Sequence, residues 1–216
     1  MICLVYSLFV NYYFYNPDDD RSLCNNDLNS IYEDRSGVLW IGTSKGLNKY
    51  NRDTDDFTRY LNDPDDSTSL SNNWILTLFE DQSGTIWIGT DGGGLNKFDG
   101  EQEQFTNYTH NPNDPTSVSN NIVVSIFEDN FGALWVGTGG GLNKFDIATE
   151  QFTHYIHDPD NPNSISSDYI NIIYKDKSGD LWIGTGGGGL NKLITGANEK
   201  IALMKAFTSI QQIVLA

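Results

Sequence analysis

Short runs of β-branched and aromatic residues alternate with polar, turn-forming stretches along most of the chain. Four runs open the pattern at matching places: Leu28–Glu33, Trp74–Glu80, Ile122–Glu128 and Tyr169–Lys175. Each is six or seven residues long and carries apolar side chains in both phases, as expected for a strand covered on both faces. A D-x-x-G turn follows each run, opened by Asp34, Asp81, Asp129 and Asp176 and closed by Gly37, Gly84, Gly132 and Gly179. Aspartate suits the first turn position because its carboxylate accepts nearby backbone N–H groups, and glycine supplies the positive φ of a bulged hairpin. A second strand of the type LWIGT comes next, then a Gly-rich turn, a third strand GLNK(Y/F), a polar turn and a fourth strand FTxY. The pattern predicts strands and hairpins throughout.

These strands belong to an internal repeat. Trp40, Trp87, Trp135 and Trp182 are spaced 47, 48 and 47 apart, within the strings EDRSGVLWIGT, EDQSGTIWIGT, EDNFGALWVGT and KDKSGDLWIGT. Acidic linkers, DPDDSTSLSNN, NPNDPTSVSNN and DPDNPNSISSD, join the units, and NPDDDRSLCNN (16–26) is a partial copy ahead of the first. Four strands per repeat of this length are the mark of a propeller blade. The expected fold is an all-β propeller of four-stranded antiparallel blades, at about 26–60, 73–109, 121–156 and 169–193, within a repeat region 16–193. Ser30, Thr77 and Ser125 form a small polar column in the first strands, with Ile172 the exception. Such residues suit innermost strands crowded near an axis.

The two ends depart from the repeat. Residues 1–15 read as a partial blade whose strand D covers Val10 to Tyr15, since Pro17 aligns with Pro64. A secretory signal is the alternative, without a basic n-region or an A-x-A site. Residues 194–216 read as an irregular segment, either a displaced strand D near Phe207-Thr208 or a terminal helix. Two closures follow: the N-terminal strand completes the fourth blade and makes a four-bladed ring, or the chain is a piece of a longer sensor.

Composition narrows the function. The chain has 216 residues, a formal net charge of −16, 23 Asn, 21 Gly and six Ala, four of them after residue 196. The negative surface argues against nucleic acid and against anionic membranes as partners. Cys3 and Cys24 are too few for a disulfide framework or a four-cysteine zinc site. No run reaches ~18 consecutive apolar residues, the length of a membrane helix.

The string ED-x-x-G-x-(L/I)-W-(I/V)-G-T followed by GGLNKF(D) resembles the two-component regulator propeller repeat over about residues 26–193. The first unit departs at its B–C turn, with Ser44-Lys45-Gly46 in place of the Gly run. The resemblance implies a seven-bladed sensor propeller in the periplasmic, extracytoplasmic region of a bacterial hybrid histidine kinase. It also implies a response to polysaccharide breakdown products.

Comparison between blades separates scaffold from site. A residue present in every blade serves every blade, which puts the Trp, the D-x-x-G turn, the Gly-Thr pair and the Asn-Lys pair in the scaffold. The lysines Lys49, Lys97, Lys144 and Lys192 are expected to pair with neighbouring carboxylates. In a propeller the D-to-A linkers and B–C turns share one face around the channel mouth. The varying column there is Asp27, Trp74, Ile122 and Tyr169, beside Asn26, Asn73, Asn121 and Asp168, with Lys45 and Asp91 in the B–C turns. Amide and carboxylate groups can bind sugar hydroxyls, and aromatic rings offer an apolar face. The candidate ligand site is therefore Asp27, Lys45, Asn73, Trp74, Asp91, Asn121, Asp168 and Tyr169. The competing role for the asparagines is local turn formation.

No catalytic residue, metal or cofactor is assigned. The linkers lack the Gly and the twelfth-position acid of an EF-hand, and the Gly runs lack the P-loop lysine. His110, His154 and His157 have no metal-binding partner motif. The expected function is a non-enzymatic sensor binding an oligosaccharide. Two alternatives stand beside it: a propeller-fold polysaccharide lyase or glycosidase using carboxylates such as Asp27, Asp91 and Asp168, or an interaction scaffold. A scaffold's partners are other blades or a second copy of the chain.

Overall fold

The computed structural model describes residues 10–193 and 204–205. Four antiparallel sheets follow one another. Blade 1 holds β1 (Leu28–Glu33), β2 (Leu39–Thr43), β3 (Gly46–Asn51) and β4 (Asp56–Tyr60). Blade 2 holds β5 (Ile75–Glu80), β6 (Ile86–Thr90), β7 (Leu95–Asp99) and β8 (Gln104–Tyr108). Blade 3 holds β9 (Val123–Glu128), β10 (Leu134–Thr138), β11 (Gly141–Asp146) and β12 (Gln151–Tyr155). Blade 4 holds β13 (Ile170–Lys175), β14 (Leu181–Thr185), β15 (Gly189–Leu193) and the short β16 (Met204–Lys205). The strands run in chain order across each sheet, and the first strands of successive blades face one another: β1 with β5, β5 with β9, β9 with β13.

The D-x-x-G turn and the tryptophan form one device. In blade 1, Asp34 Oδ1 accepts the N–H groups of Ser36 and Val38, and Oδ2 accepts Trp40 Nε1–H at 2.8 Å. The same indole bond joins Trp87 to Asp81, Trp135 to Asp129 and Trp182 to Asp176, at 2.8, 2.9 and 2.8 Å. The turn carboxylate thus supplies the polar partner that lets a large ring enter the core.

The ring then packs on the following blade. Trp40, Leu47 and Tyr60 of blade 1 share a core with Ile75, Leu78, Ile86, Ile88, Phe98 and Phe105 of blade 2. Trp87 and Trp135 do the same toward blades 3 and 4. Lys49, Lys144 and Lys192 lie over their tryptophan rings, and Lys49 and Lys192 also meet Glu103 and Asp180. The buried Asn48, Asn96, Asn143 and Asn191 each accept a linker N–H and donate to a carbonyl of the second strand. All these groups are scaffold.

The small column has a steric cause. A Cβ on Gly42 would overlap Ser30 Oγ and Ile75 Cγ2, the latter from the next blade. Ser125 also accepts the Ile173 N–H of the next first strand at 3.0 Å. The larger Ile172 falls on blade 4, where it is 57% exposed and no described blade covers it.

Several expected boundaries shift. In blades 2 to 4 the first strand begins one residue late, because the carbonyls of Trp74, Ile122 and Tyr169 accept N–H groups from the B–C turn instead of joining the ladder. A bulge follows in every blade. Residues 10–15 form no strand and do not complete blade 4, which removes the self-closed four-bladed ring. Their contacts nevertheless match a strand D ahead of blade 1. Tyr13 packs on Tyr50 and Phe57 and donates to Asp55, as Tyr60 packs on Phe98 and Phe105 and donates to Glu103. In blade 4, β16 takes the strand D position by pairing with Asn191 and Lys192, so the displaced strand lies at 204–205. Residues 1–9 of the 1–15 stretch, for which a secretory signal is the alternative reading, and Phe207-Thr208 lie outside the described residues.

The aspartate latches carry a pH dependence. Burial opposes ionisation of Asp34 and Asp81, but bonds from the turn serine, the indole and the turn N–H groups outweigh it and hold both carboxyls below their usual range. The Trp182 indole does the same for Asp176. A depressed carboxyl stabilises the fold above its unfolded pKa, about 3.9, and that stability is lost as pH falls through the folded value. The thermal midpoint should therefore fall steeply below about pH 4, and Asp81→Asn, less stable at neutral pH, should flatten that limb. A wild-type midpoint constant between about pH 7 and about pH 3 would contradict the latch.

Candidate functional site

The joint between linker and first strand meets the B–C turn in every blade. Ser44 N–H donates to Asp27 O at 3.1 Å, Asp91 to Trp74 O at 2.9 Å, Gly139 to Ile122 O at 3.0 Å and Gly186 to Tyr169 O at 2.7 Å. The varying column and the varying turns thus form one rim. Between blades 2 and 3 the joint is tighter. Gly92 and Gly94 donate to Asn121 O at 3.0 and 2.8 Å, and Asp91 forms a β-bridge with Ile122. The positive φ of Gly92 and Gly94, +97° and +79°, permits this double donation.

Trp74, Asp91, Asn121 and Ile122 are therefore brought together across two blades. Trp74 and Tyr169 are 48% and 49% exposed, so each keeps part of a ring available. Asp27 and Lys45 are exposed beside Ser44 in blade 1.

Other candidates are engaged in the linkers. Asn73 Oδ1 accepts Asn62 N–H at 2.7 Å, Asn121 Oδ1 accepts His110 N–H at 2.6 Å and Asp168 Oδ1 accepts His157 N–H at 2.6 Å. Asn26 accepts Tyr15 N–H in the same way. Each side chain closes an 11-residue loop from the end of one blade to the start of the next. The local Asx turns belong to their neighbours: Asn25, Asn72 and Asn120 accept the N–H of Asp27, Trp74 and Ile122.

The imidazoles are occupied as well. His110 Nδ1, His157 Nδ1 and His154 Nε2 face the backbone carbonyls of Val118, Ile165 and Ser117. Among the described residues no three His, Cys, Asp or Glu side chains cluster as a metal site would need. Burial pushes the Cys24 thiol up to about 11, so it remains a packed thiol at neutral pH.

One varying residue escaped the sequence reading. Phe131 stands where the other D-x-x-G turns have serine, and it is 80% exposed. It borders a cleft of about 650 Å³ with Lys144, Ile147 and Tyr155. The between-blade comparison carries that signal, in the A–B turn and not on the B–C face. A second cleft, of about 400 Å³, lies along Arg59, Tyr60, Asp63 and Gln104. Neither cleft holds a rim candidate.

Asn73→Ala is expected to lower the thermal midpoint of the ligand-free protein by the equivalent of about 1–2 kcal/mol, because it opens the linker clasp. Trp74→Ala should change it by about 0.5 kcal/mol or less, as at an ordinary surface position. Equal midpoints for Asn73→Ala and wild type would return Asn73 to the ligand-contact class.

Comparison with known proteins bears on these blades. The profile described as "Two component regulator propeller" matches residues 22–45, 69–92, 117–140 and 164–187. The structure is similar to the extracellular domain of a putative hybrid two component system from B. thetaiotaomicron. The TM-score is 0.70 and the identity 33%, over 79% of this chain and 24% of that one. A second extracellular domain from the same organism, of a putative one component system, matches with TM-score 0.66 and 27% identity over 78% of this chain and 24% of that one. The chain thus spans about a quarter of the length of each. Streptogramin B lyase shares the fold alone, at 16% identity and TM-score 0.59 over 91% of this chain and 58% of that one. No curated protein matches the sequence.

Proposed function

We propose that this chain, whose blades belong to the two component regulator propeller family, is a ligand-sensing segment of an extracytoplasmic signalling receptor, with a neutral oligosaccharide as its ligand. The observation that carries the reading is the half-exposed Trp74 beside Asp91, on a rim where Asn73, Asn121 and Asp168 are engaged in holding the linkers. The similarity to extracellular domains of two component systems supports the receptor setting.

A pyranose ring presents an apolar face edged by hydroxyls. Trp74 and Tyr169 supply aromatic surface for the face, and Asp27, Lys45 and Asp91 supply acceptors and a donor for the hydroxyls. The net charge of −16 disfavours sulfated or phosphorylated glycans and leaves neutral ones unaffected. Binding without turnover suits the rim, whose residues differ from blade to blade as recognition requires.

Titration calorimetry against a panel of neutral oligosaccharides tests the reading. The chain should bind at least one of them, and Trp74→Ala and Tyr169→Ala should each weaken it about tenfold, the loss of roughly 1.4 kcal/mol. Unchanged binding in both variants would move the site elsewhere. Turnover of a glycan, abolished by Asp27→Asn or Asp91→Asn, would replace the sensor with an enzyme.

A further inference from the structure

The turns between the second and third strands come in two lengths. From the repeated Thr to the repeated Leu, three residues intervene in blades 1 and 3 and four in blades 2 and 4. The extra residue changes what the turn reaches. In the short turns Ser44 and Gly139 each donate to a carbonyl of their own blade, and among the described residues neither turn makes a backbone bond to the following blade. The long turn of blade 2 does. Gly92 and Gly94 both donate to Asn121 O ahead of the first strand of blade 3, and Asp91 forms its bridge with Ile122. Asn121 is itself fixed, because its side chain accepts the His110 N–H at 2.6 Å. This joint is internal to the stack, with all four strands of both blades described.

The backbone staple brings one unlike set of side chains together. Residues directly opposite in an antiparallel bridge carry their side chains on one face, so Asp91 and Ile122 share a face. The Asp91 N–H bond to Trp74 O, at 2.9 Å, ties the tryptophan to the same turn. Of the residues that open the other three turns, Ser44 is bound to Asn25, and Gly139 and Gly186 have no side chain. Asp91 is partly exposed, and among the described residues its carboxylate has no hydrogen-bond or ion-pair partner. The Trp74 indole N–H is also without an acceptor, whereas the other four indoles are latched. An open acceptor and an open donor thus stand beside two apolar side chains, at the one described joint whose rim is stapled through the backbone.

We infer that the blade 2–3 joint is the primary subsite for the oligosaccharide, that Asp91 is its specificity-determining residue, and that Gly92 and Gly94 are positioning residues; this rests on the reading of the rim as a glycan site. A carboxylate accepts through two oxygens, so Asp91 selects a ring edge that presents neighbouring free hydroxyls. The Trp74 N–H donates to a sugar oxygen, and the Trp74 and Ile122 side chains cover the apolar face of the ring. A carboxylate on a free loop would have to be ordered on binding, but the two bonds to Asn121 O fix this one beforehand. The turn of blade 4 is equally long and opens with glycine, so it supplies no such group.

Titration calorimetry with cellohexaose, xylohexaose, mannohexaose and maltohexaose tests this, the tightest binder serving as probe for the variants. Asp91→Asn keeps the shape but turns one acceptor into a donor, and it should weaken binding about tenfold. Deletion of Gly93 gives the turn the length that blades 1 and 3 already carry. The hairpin then still closes while the bonds to Asn121 O are lost, and binding should again weaken about tenfold. The two changes combined should bind no more weakly than Asp91→Asn alone, since the staple acts through that carboxylate. Circular dichroism checks folding. If the deletion variant is unfolded, Gly92→Ala replaces it, at a φ of +97° and with the nearest atom 3.6 Å from the added Cβ. Losses that add in the combined variant would overturn the positioning role. Binding weakened by Trp74→Ala but unchanged by Asp91→Asn would overturn the subsite and leave the glycan reading in place. A wild type that binds none of the four sugars would overturn both.

Discussion

The bond from an indole N–H to a turn carboxylate is the interaction on which this architecture depends. A propeller blade is buried on both faces, so its largest side chain must enter the core with every polar atom satisfied. In each repeat the D-x-x-G aspartate meets that need at 2.8–2.9 Å while its other oxygen fixes the hairpin. One residue therefore sets both the turn and the orientation of the ring. The ring then defines the surface that the next blade covers. Cooperation between blades follows from a side chain that belongs to one sheet and packs in the core of two.

This economy decides where recognition can reside. The repeated Asn closes the linker onto the second strand, the repeated Thr binds the B–C turn and the repeated Lys lies over the ring or against a carboxylate. These groups are engaged in holding the blades together. The edge where linker and B–C turn meet is different, because the backbone bond common to all four blades leaves the side chains of the varying column free of it. Its side chains can change without disturbing the stack, and they do: Asp27, Trp74, Ile122 and Tyr169 occupy one structural place.

Much of this was legible in the residues because the repeat makes the chain its own comparison. Strand order, hairpins, the scaffold lysines and the location of the rim all follow from the four aligned units. The roles of Asn73, Asn121 and Asp168 did not, since a bond spanning 11 residues depends on how the linker folds back and leaves no mark in a local pattern. The late start of the first strands had a similar origin, in a turn N–H that captures a carbonyl. The Tyr13 contact with Asp55 was hidden for the opposite reason. The alignment placed a strand D there, but the bond from its tyrosine to a carboxylate of blade 1 is a feature of the fold and not of the repeat pattern. Ile172, an exception in the sequence, became an explanation once its end position was known.

Hydrogen exchange at the indole N–H groups tests the account most directly. Of the five tryptophans, four are latched to aspartate and Trp74 stands on the rim. NMR of the intact chain should show four indole protons protected from exchange with deuterated solvent and one, from Trp74, exchanging rapidly. Addition of a bound oligosaccharide should shift that fifth resonance and leave the four in place. Five indole protons exchanging at similar rates would contradict both the latch and the separation of scaffold from rim.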